Sequence, residues 1–199
     1  MSQKQAITLI PIGLVLGVAI ITATIFLLKG KDASAEKVSG SQPIVDVSEL
    51  QFGLEWGCGR AEVEMLMEEQ GYEMSKSAVD TMISYSVDDF CGIDGANGYV
   101  AFVFSGEDKL RNVQYGFTSE EAGGACNGET INYLIESIEK ELNENYEKCS
   151  AKLDVEDYEY WLGEKTFVTY ISEDSVRVVL AYTDCASEPG LVEYLRNLQ

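Results

Sequence analysis

The sequence predicts an α+β fold: two helix-plus-three-strand units forming an antiparallel sheet covered by helices, preceded by one transmembrane helix. Three observations predict it. Residues 6–28 form an unbroken run without charge, closed by Lys29-Gly30-Lys31, and a bilayer core of about 30 Å takes roughly 20 such residues of helix. Beyond residue 47 the apolar period alternates between helical and two-residue spacing, in the order helix and three strands, twice. A short stretch also recurs at an offset of 66: Glu107, Asp108, Arg111 and Val113 return as Glu173, Asp174, Arg177 and Val179, with Leu110 matched by Val176. The organisation read from this is an anchor over residues 1–28, a tether over 29–47 and an acidic domain over 48–199, with repeat halves 48–118 and 119–199.

The apolar run exceeds the 7–15 residues of a typical signal-peptide core, which favours a retained anchor. A cleaved signal is the alternative, because Ala33-Ser34-Ala35 offers a small-residue site beyond the run. Lys4 precedes the run while Lys29, Lys31 and Lys37 follow it, a slight lean towards a cytoplasmic domain. The five cysteines pull the other way, since disulfides persist in oxidising compartments. The expected location is therefore the cytoplasmic membrane, single-pass, with the C-terminal domain on its outer side. Residues 29–47 lack periodicity and are rich in Lys, Ser, Gly and Ala, as a linker is.

Within the domain, residues 50–54 alternate like a short strand, and Trp56-Gly57-Cys58-Gly59 reads as a turn. Residues 61–70 are helical: Val63, Leu66 and Met67 share a face among Glu62, Glu64, Glu68 and Glu69, and Gly71 suits the position after the helix end. Residues 81–87 then alternate, with Thr81, Ile83, Tyr85 and Val87 on one side. Residues 91–98 form a Gly-, Asp- and Asn-rich loop; 99–104 and 110–117 are strands around a turn at Gly106-Glu107-Asp108. A connection containing Gly123-Gly124 leads to a helix over 131–146, whose stripe is Ile131, Leu134, Ile135, Ile138 and Leu142. Strands follow over 158–162, 166–171 and 176–182, and residues 191–198 close the chain as a short helix.

The segment Trp56-Gly57-Cys58-Gly59-Arg60-Ala61-Glu62-Val63, with Leu66 and Gly71-Tyr72, resembles the leading helix of the small outer-membrane-assembly lipoproteins of the SmpA/OmlA type. The helix-then-hairpin order is similar to the related β-lactamase-inhibitor-protein fold, itself built from two such halves. The resemblance implies a protein-binding module without catalysis. The chain departs from those lipoproteins in carrying a transmembrane run where they carry an acylated cysteine.

The net charge is −20. Residues 1–47 hold four lysines against three acids, so residues 48–199 carry −21. Such a field excludes nucleic acid as a partner and favours solubility, a basic protein or divalent cations. The chain has no histidine, which removes the commonest general base and zinc ligand. A carboxylate-dependent envelope hydrolase is left as the enzymatic alternative. Close acid pairs arise by chance in so acidic a domain, however, and no catalytic residue stands out.

The cysteines form no C-x-x-C pair, so neither zinc nor thioredoxin chemistry is indicated, and structural disulfides are the reading. If each helix lies antiparallel to the strand after it, Cys58, Cys91, Cys126 and Cys185 gather at one end of the domain. The expected bridges are Cys58–Cys91 and Cys126–Cys185, with Cys149 free. Asp88-Asp89 with Asp94-Gly95-Ala96-Asn97-Gly98 is oxygen-rich, which keeps a Ca²⁺-responsive module as a third class. The spacing is not that of an EF-hand, and ordinary turn chemistry explains it better. Tyr158, Tyr160 and Trp161, interleaved with Glu156, Asp157 and Glu159, are either core strand residues or a partner-binding patch rimmed by acids. No metal or cofactor is expected. The expected function is a membrane-anchored extracytoplasmic protein-binding or envelope-assembly module, held in the membrane by residues 6–28 and paired with a basic protein.

Overall fold

Helix α1 (Arg60–Glu69) stops where its sequence tells it to. Gly71 adopts φ +82°, and the N–H groups of Gly71 and Tyr72 bond back to the carbonyls of Glu68 and Met67, both at 3.0 Å. This is the Schellman closure that a glycine after the helix allows. The fold is seen in a computed structural model that describes residues 52–75, 80–149 and 158–197. The apolar run 6–28, the tether and the acids at 156–157 lie outside those residues. Among the described residues, no helix is long and apolar enough to cross a membrane.

Among the described residues, eight strands follow or flank the helices: β1 (Met74–Ser75), β2 (Met82–Val87), β3 (Gly98–Phe104), β4 (Leu110–Thr118), β5 (Glu147–Cys149), β6 (Glu159–Leu162), β7 (Thr166–Glu173) and β8 (Arg177–Asp184). Helix α2 (Gly128–Asn145) precedes β5, and α3 (Pro189–Arg196) follows β8. Asn127 starts α2 three residues earlier than the apolar stripe suggests, its Oδ1 accepting from the Thr130 N–H at 2.7 Å. All strand pairs are antiparallel, in the order β1-β2-β3-β4-β8-β7-β6-β5. The order reads the same from both edges: a helix and four strands on each side of the β4–β8 seam.

Three expectations need correction. Residues 52 and 53 form a turn and a bend where a short strand was expected. Each half has four strands, because β1 and β5 add two or three residues at the sheet edges. Strands so short, with Met74 exposed and Glu147 and Lys148 charged, carry no alternation to read. Finally, the offset of 66 does not relate equivalent positions. Val113 is opposite Tyr182 on one face, while Val179 is opposite Gly116 on the other. An even offset exchanges the faces of these two strands, and a slip of one residue turns every side chain over. The left-handed turn residues Asp108 (φ 61°) and Ser175 (φ 59°) agree with an offset one residue longer.

The first face is the core. Ile83, Phe102, Val113, Tyr182, Val168 and Trp161 stand opposite one another from strand to strand. They share one buried cluster with Val63 and Met67 of α1 and Ile131, Leu134, Ile138 and Leu142 of α2. Arg60 ties α1 to the first half, pairing with Asp108 at 3.1 Å, donating to the Asp80 carbonyl and lying over the Phe104 ring. Asn132 ties α2 to the β7–β8 turn by accepting from the Ser175 N–H at 2.7 Å. Trp56 joins the leading segment to the second half, its Nε1–H donating to Thr166 Oγ1 at 2.9 Å.

Candidate functional site

The second face of the sheet differs from the first in chemistry. The register places Met82, Val103, Asn112, Thr183 and Phe167 in one row across five strands. Ser84, Ala101, Gln114, Ala181 and Thr169 form the next, and Ser86, Tyr99, Gly116, Val179 and Ile171 the third. No residue in these rows is charged, in a chain with 34 acids and 14 bases. Charge returns at the edge of the sheet, where the first row runs on through Leu162 to Glu147, and in the following row, Thr118, Arg177 and Glu173, where Arg177 and Glu173 pair at 3.4 Å. The acids gather elsewhere: Glu62, Glu64, Glu68 and Glu69 on α1, and Glu129, Glu136, Glu139, Glu141 and Glu144 on α2.

Burial divides this second face in two. Over β6 and β7, Tyr160, Leu162 and Phe167 are buried outside the main cluster, as are Leu191, Val192 and Leu195 of α3. Helix α3 contacts β6, and α2 already occupies the first face beside β5 and β8, so α3 seals the second face at this end. Over β2, β3, β4 and β8 the rows are half-exposed at Ser86, Tyr99, Val103, Asn112, Val179, Ala181 and Thr183, while Met82, Ser84, Ala101, Gln114 and Gly116 between them are buried. The surface there is shaped from within. The Tyr99 ring lies over Gly116, where a Cβ would meet it at 2.3 Å. Burial raises the Tyr99 phenol far above its usual range, and its hydroxyl has no hydrogen bond among the described residues. Asn112 Nδ2 donates to Thr183 Oγ1 at 2.7 Å across the β4–β8 seam.

The residues singled out from the sequence fall elsewhere. Trp161 is fully buried on the first face, edge-on to Tyr170 at 5.7 Å, with its Nε1–H donating to Asn143 of α2 at 3.1 Å. Lys148 lies over its ring while pairing with Glu159 at 2.8 Å. Tyr160 points to the opposite face, also fully buried, and burial pushes its phenol up to about 12. Tyr158 is half-buried and stacks on Tyr160 with centroids 6.4 Å apart. Strand alternation therefore splits the trio, and neither Tyr160 nor Trp161 presents surface to a partner. Comparisons of the chain with protein-family models, with curated proteins and with solved structures find no match.

The expected bridges are not formed: Cys58, Cys126 and Cys149 are thiols. Cys58 lies at the start of β4, where its carbonyl accepts from the Leu110 N–H at 2.9 Å. Cys91 follows the end of β2, beside the far end of β4, because Val87 pairs with Gly98 and Gly98 with Phe117. Cys126 belongs to that far end as well, bonded to the Thr118 carbonyl at 3.1 Å. Cys185 lies past Thr183, opposite the start of β4. The expected pairs are thus placed at opposite ends of the sheet. The reason is β1: it takes the return run after α1, so β2 runs in the opposite sense to the one assumed. The Cys126 thiol donates to the Asn97 carbonyl at 3.0 Å, and burial raises it to about 11.

The Asp-rich loop closes on itself. Asp89 Oδ1 accepts from Gly95 N–H at 2.8 Å, and Asn97 Oδ1 accepts from Asp89 N–H at 3.1 Å. Phe90 anchors the loop between the rings of Tyr115 and Phe117, at 5.1 and 4.9 Å. No group of three or more Asp, Glu or Cys residues suited to a metal ion occurs among the described residues. One signal for the uncharged face did stand in the sequence. The outward positions of β4 and β8 (Asn112, Gln114, Gly116, Val179, Ala181 and Thr183) are uncharged where an acidic, solvated strand would carry Asp, Glu or Lys.

Proposed function

We propose that this is a single-span membrane protein whose acidic domain, on the outer side of the cytoplasmic membrane, binds another protein or supports an envelope assembly without catalysis. Residues 6–28 are the anchor in this reading, and residues 48–118 and 119–199 are two copies of one helix-plus-meander unit. The observation that carries the reading is the absence of charge from the half-exposed positions of three consecutive rows of the second face, among them Ser86, Val103, Asn112, Val179, Ala181 and Thr183, in a domain that is otherwise strongly acidic. Depletion of charge at the centre and polar groups at the rim mark protein interfaces. The half-exposed Ser86, Val103, Val179, Ala181 and Thr183, short side chains on strands, would also order little on binding.

A photo-crosslinking side chain in place of Val179 tests it in intact membranes. The expected result is a discrete adduct that disappears when Thr183→Glu is added and weakens as the Debye length falls from about 30 Å to 8 Å. Capture by the same side chain at Glu68 on α1, with none at Val179, would move the interface to the helices and overturn the assignment.

A further inference from the structure

The two edges of the sheet are guarded differently. At one edge, β5 sets Lys148 on the first face, opposite Trp161 and paired with Glu159 at 2.8 Å. A lysine on an edge strand is a common guard against the addition of a further strand. At the other edge, β1 sets Met74 on the same face, opposite Tyr85, with Ser75 opposite Ser84. Neither residue is charged, and Met74 is 53% exposed. Strand β1 pairs with β2 and ends the strand order, so among the described residues no strand lies beyond it. Acids stand beside this edge on the face that Met74 shares. Burial raises the Tyr85 phenol, Glu64 raises it further, and Glu68 adds to this against the opposing charge of Arg60. Both carboxylates of α1 therefore lie near the residue opposite Met74, and exposed Glu73 directly precedes it. Arg60 is taken up by Asp108, while Glu64 and Glu68 form no ion pair among the described residues.

We infer that the β1 edge receives an extended segment of a basic partner protein, which adds a strand beyond β1 and sets lysine or arginine on the first face beside Glu64 and Glu68. In strand addition the main chain supplies the hydrogen bonds and alternate side chains the selectivity. Because β1 is only two residues long, few backbone bonds form, and the charges carry much of the attraction. A second copy of this chain, with a net charge of −20, would bring the same acids to the edge and is disfavoured by like charge. The β1 edge is a different surface from the second face and would bind whether or not that face does.

The test uses the full chain with a photo-crosslinking side chain in place of Met74, and a synthetic peptide of alternating lysine and valine. Illumination should give a peptide adduct at position 74. The same peptide N-methylated throughout keeps its charge but loses its backbone donors, and its yield should be lower by at least about tenfold, the factor for 1.4 kcal/mol. A peptide with glutamate in place of lysine should fall as far, as should the lysine peptide on the double variant Glu64→Gln, Glu68→Gln. Circular dichroism of that variant checks that the chain still folds. Equal yield from the N-methylated peptide would overturn strand addition, and equal yield from the glutamate peptide would overturn the charge assignment. An adduct between two copies of the chain that the lysine peptide does not displace would overturn the choice of occupant. No adduct with any peptide would overturn the site, while the Val179 adduct, read separately, decides the second face.

Discussion

The two halves of the sheet are alike on the face beneath α1 and α2 and unlike on the other. Beneath the helices both halves are packed with aromatic and branched residues, Phe102 and Tyr85 in one and Trp161 and Tyr170 in the other, all nearly or fully buried. On the second face, the half that ends the chain is sealed by α3, while the half that begins the domain is uncharged and mixes buried Met82, Ser84, Ala101 and Gln114 with half-exposed Ser86, Tyr99, Val103 and Asn112. The same strand architecture is thus more deeply buried at one end than at the other. What decides between them is whether an amphipathic helix follows the last strand.

Removing Trp161 should have the largest effect. Trp161→Ala deletes a buried ring, its contact with Tyr170 and its bond to Asn143, and should destabilise the domain by about 3–5 kcal/mol in chemical denaturation. A loss under 1 kcal/mol would place the ring at the surface and restore it as a contact residue. Next comes the direct comparison of the second face. Leu195→Ala should cost about 2–5 kcal/mol, whereas Val103→Ala, at a half-exposed position of the first half, should stay within about 1 kcal/mol. Equal costs would show that the two halves are equally covered.

Gly116→Ala should cost about 1–3 kcal/mol by forcing the Tyr99 ring off the strand, and much less in a Tyr99→Leu background. Additive costs in that pair would mean the ring does not shape this part of the second face. Trp56→Phe, which removes the bond from the leading segment to Thr166, should cost about 1 kcal/mol, read from the same melts. The smallest effect is alkaline. Burial raises Cys126 from its ordinary 9.0 to about 11, so the folded state holds this proton more tightly than the unfolded one. Its contribution is intact below pH 9 and is lost as pH rises through about 11, and Tyr160, raised to about 12, acts in the same direction. Iodoacetamide at pH 8 should accordingly spare Cys126 in the native chain and label it after unfolding.

Much of the fold was legible because it rests on local periodicity. The stripe from Ile131 to Leu142 and the alternation of Val178, Leu180 and Tyr182 depend on neighbours in sequence, so the helices and the six longer strands could be read residue by residue. Gly71 announced a helix end because few other residues adopt its φ. The uncharged outer positions of β4 and β8 were equally present in the sequence, but their meaning required knowing that they stand side by side.

The tertiary structure alone decided the rest. Strands β1 and β5 exist only through pairing with β2 and β6, since two or three residues have no period of their own. Their presence reversed the strand directions on which the cysteine pairing depended. The division of Tyr160 from Trp161 follows from which face α2 covers, and that is set by long-range packing. Composition and the apolar run determined the acidic field and the expected anchor, because charge and hydropathy add up along the chain whatever its path. Which acids surround the neutral face, and which half α3 covers, depend on register and chain return, and these are fixed only when distant segments bury surface together.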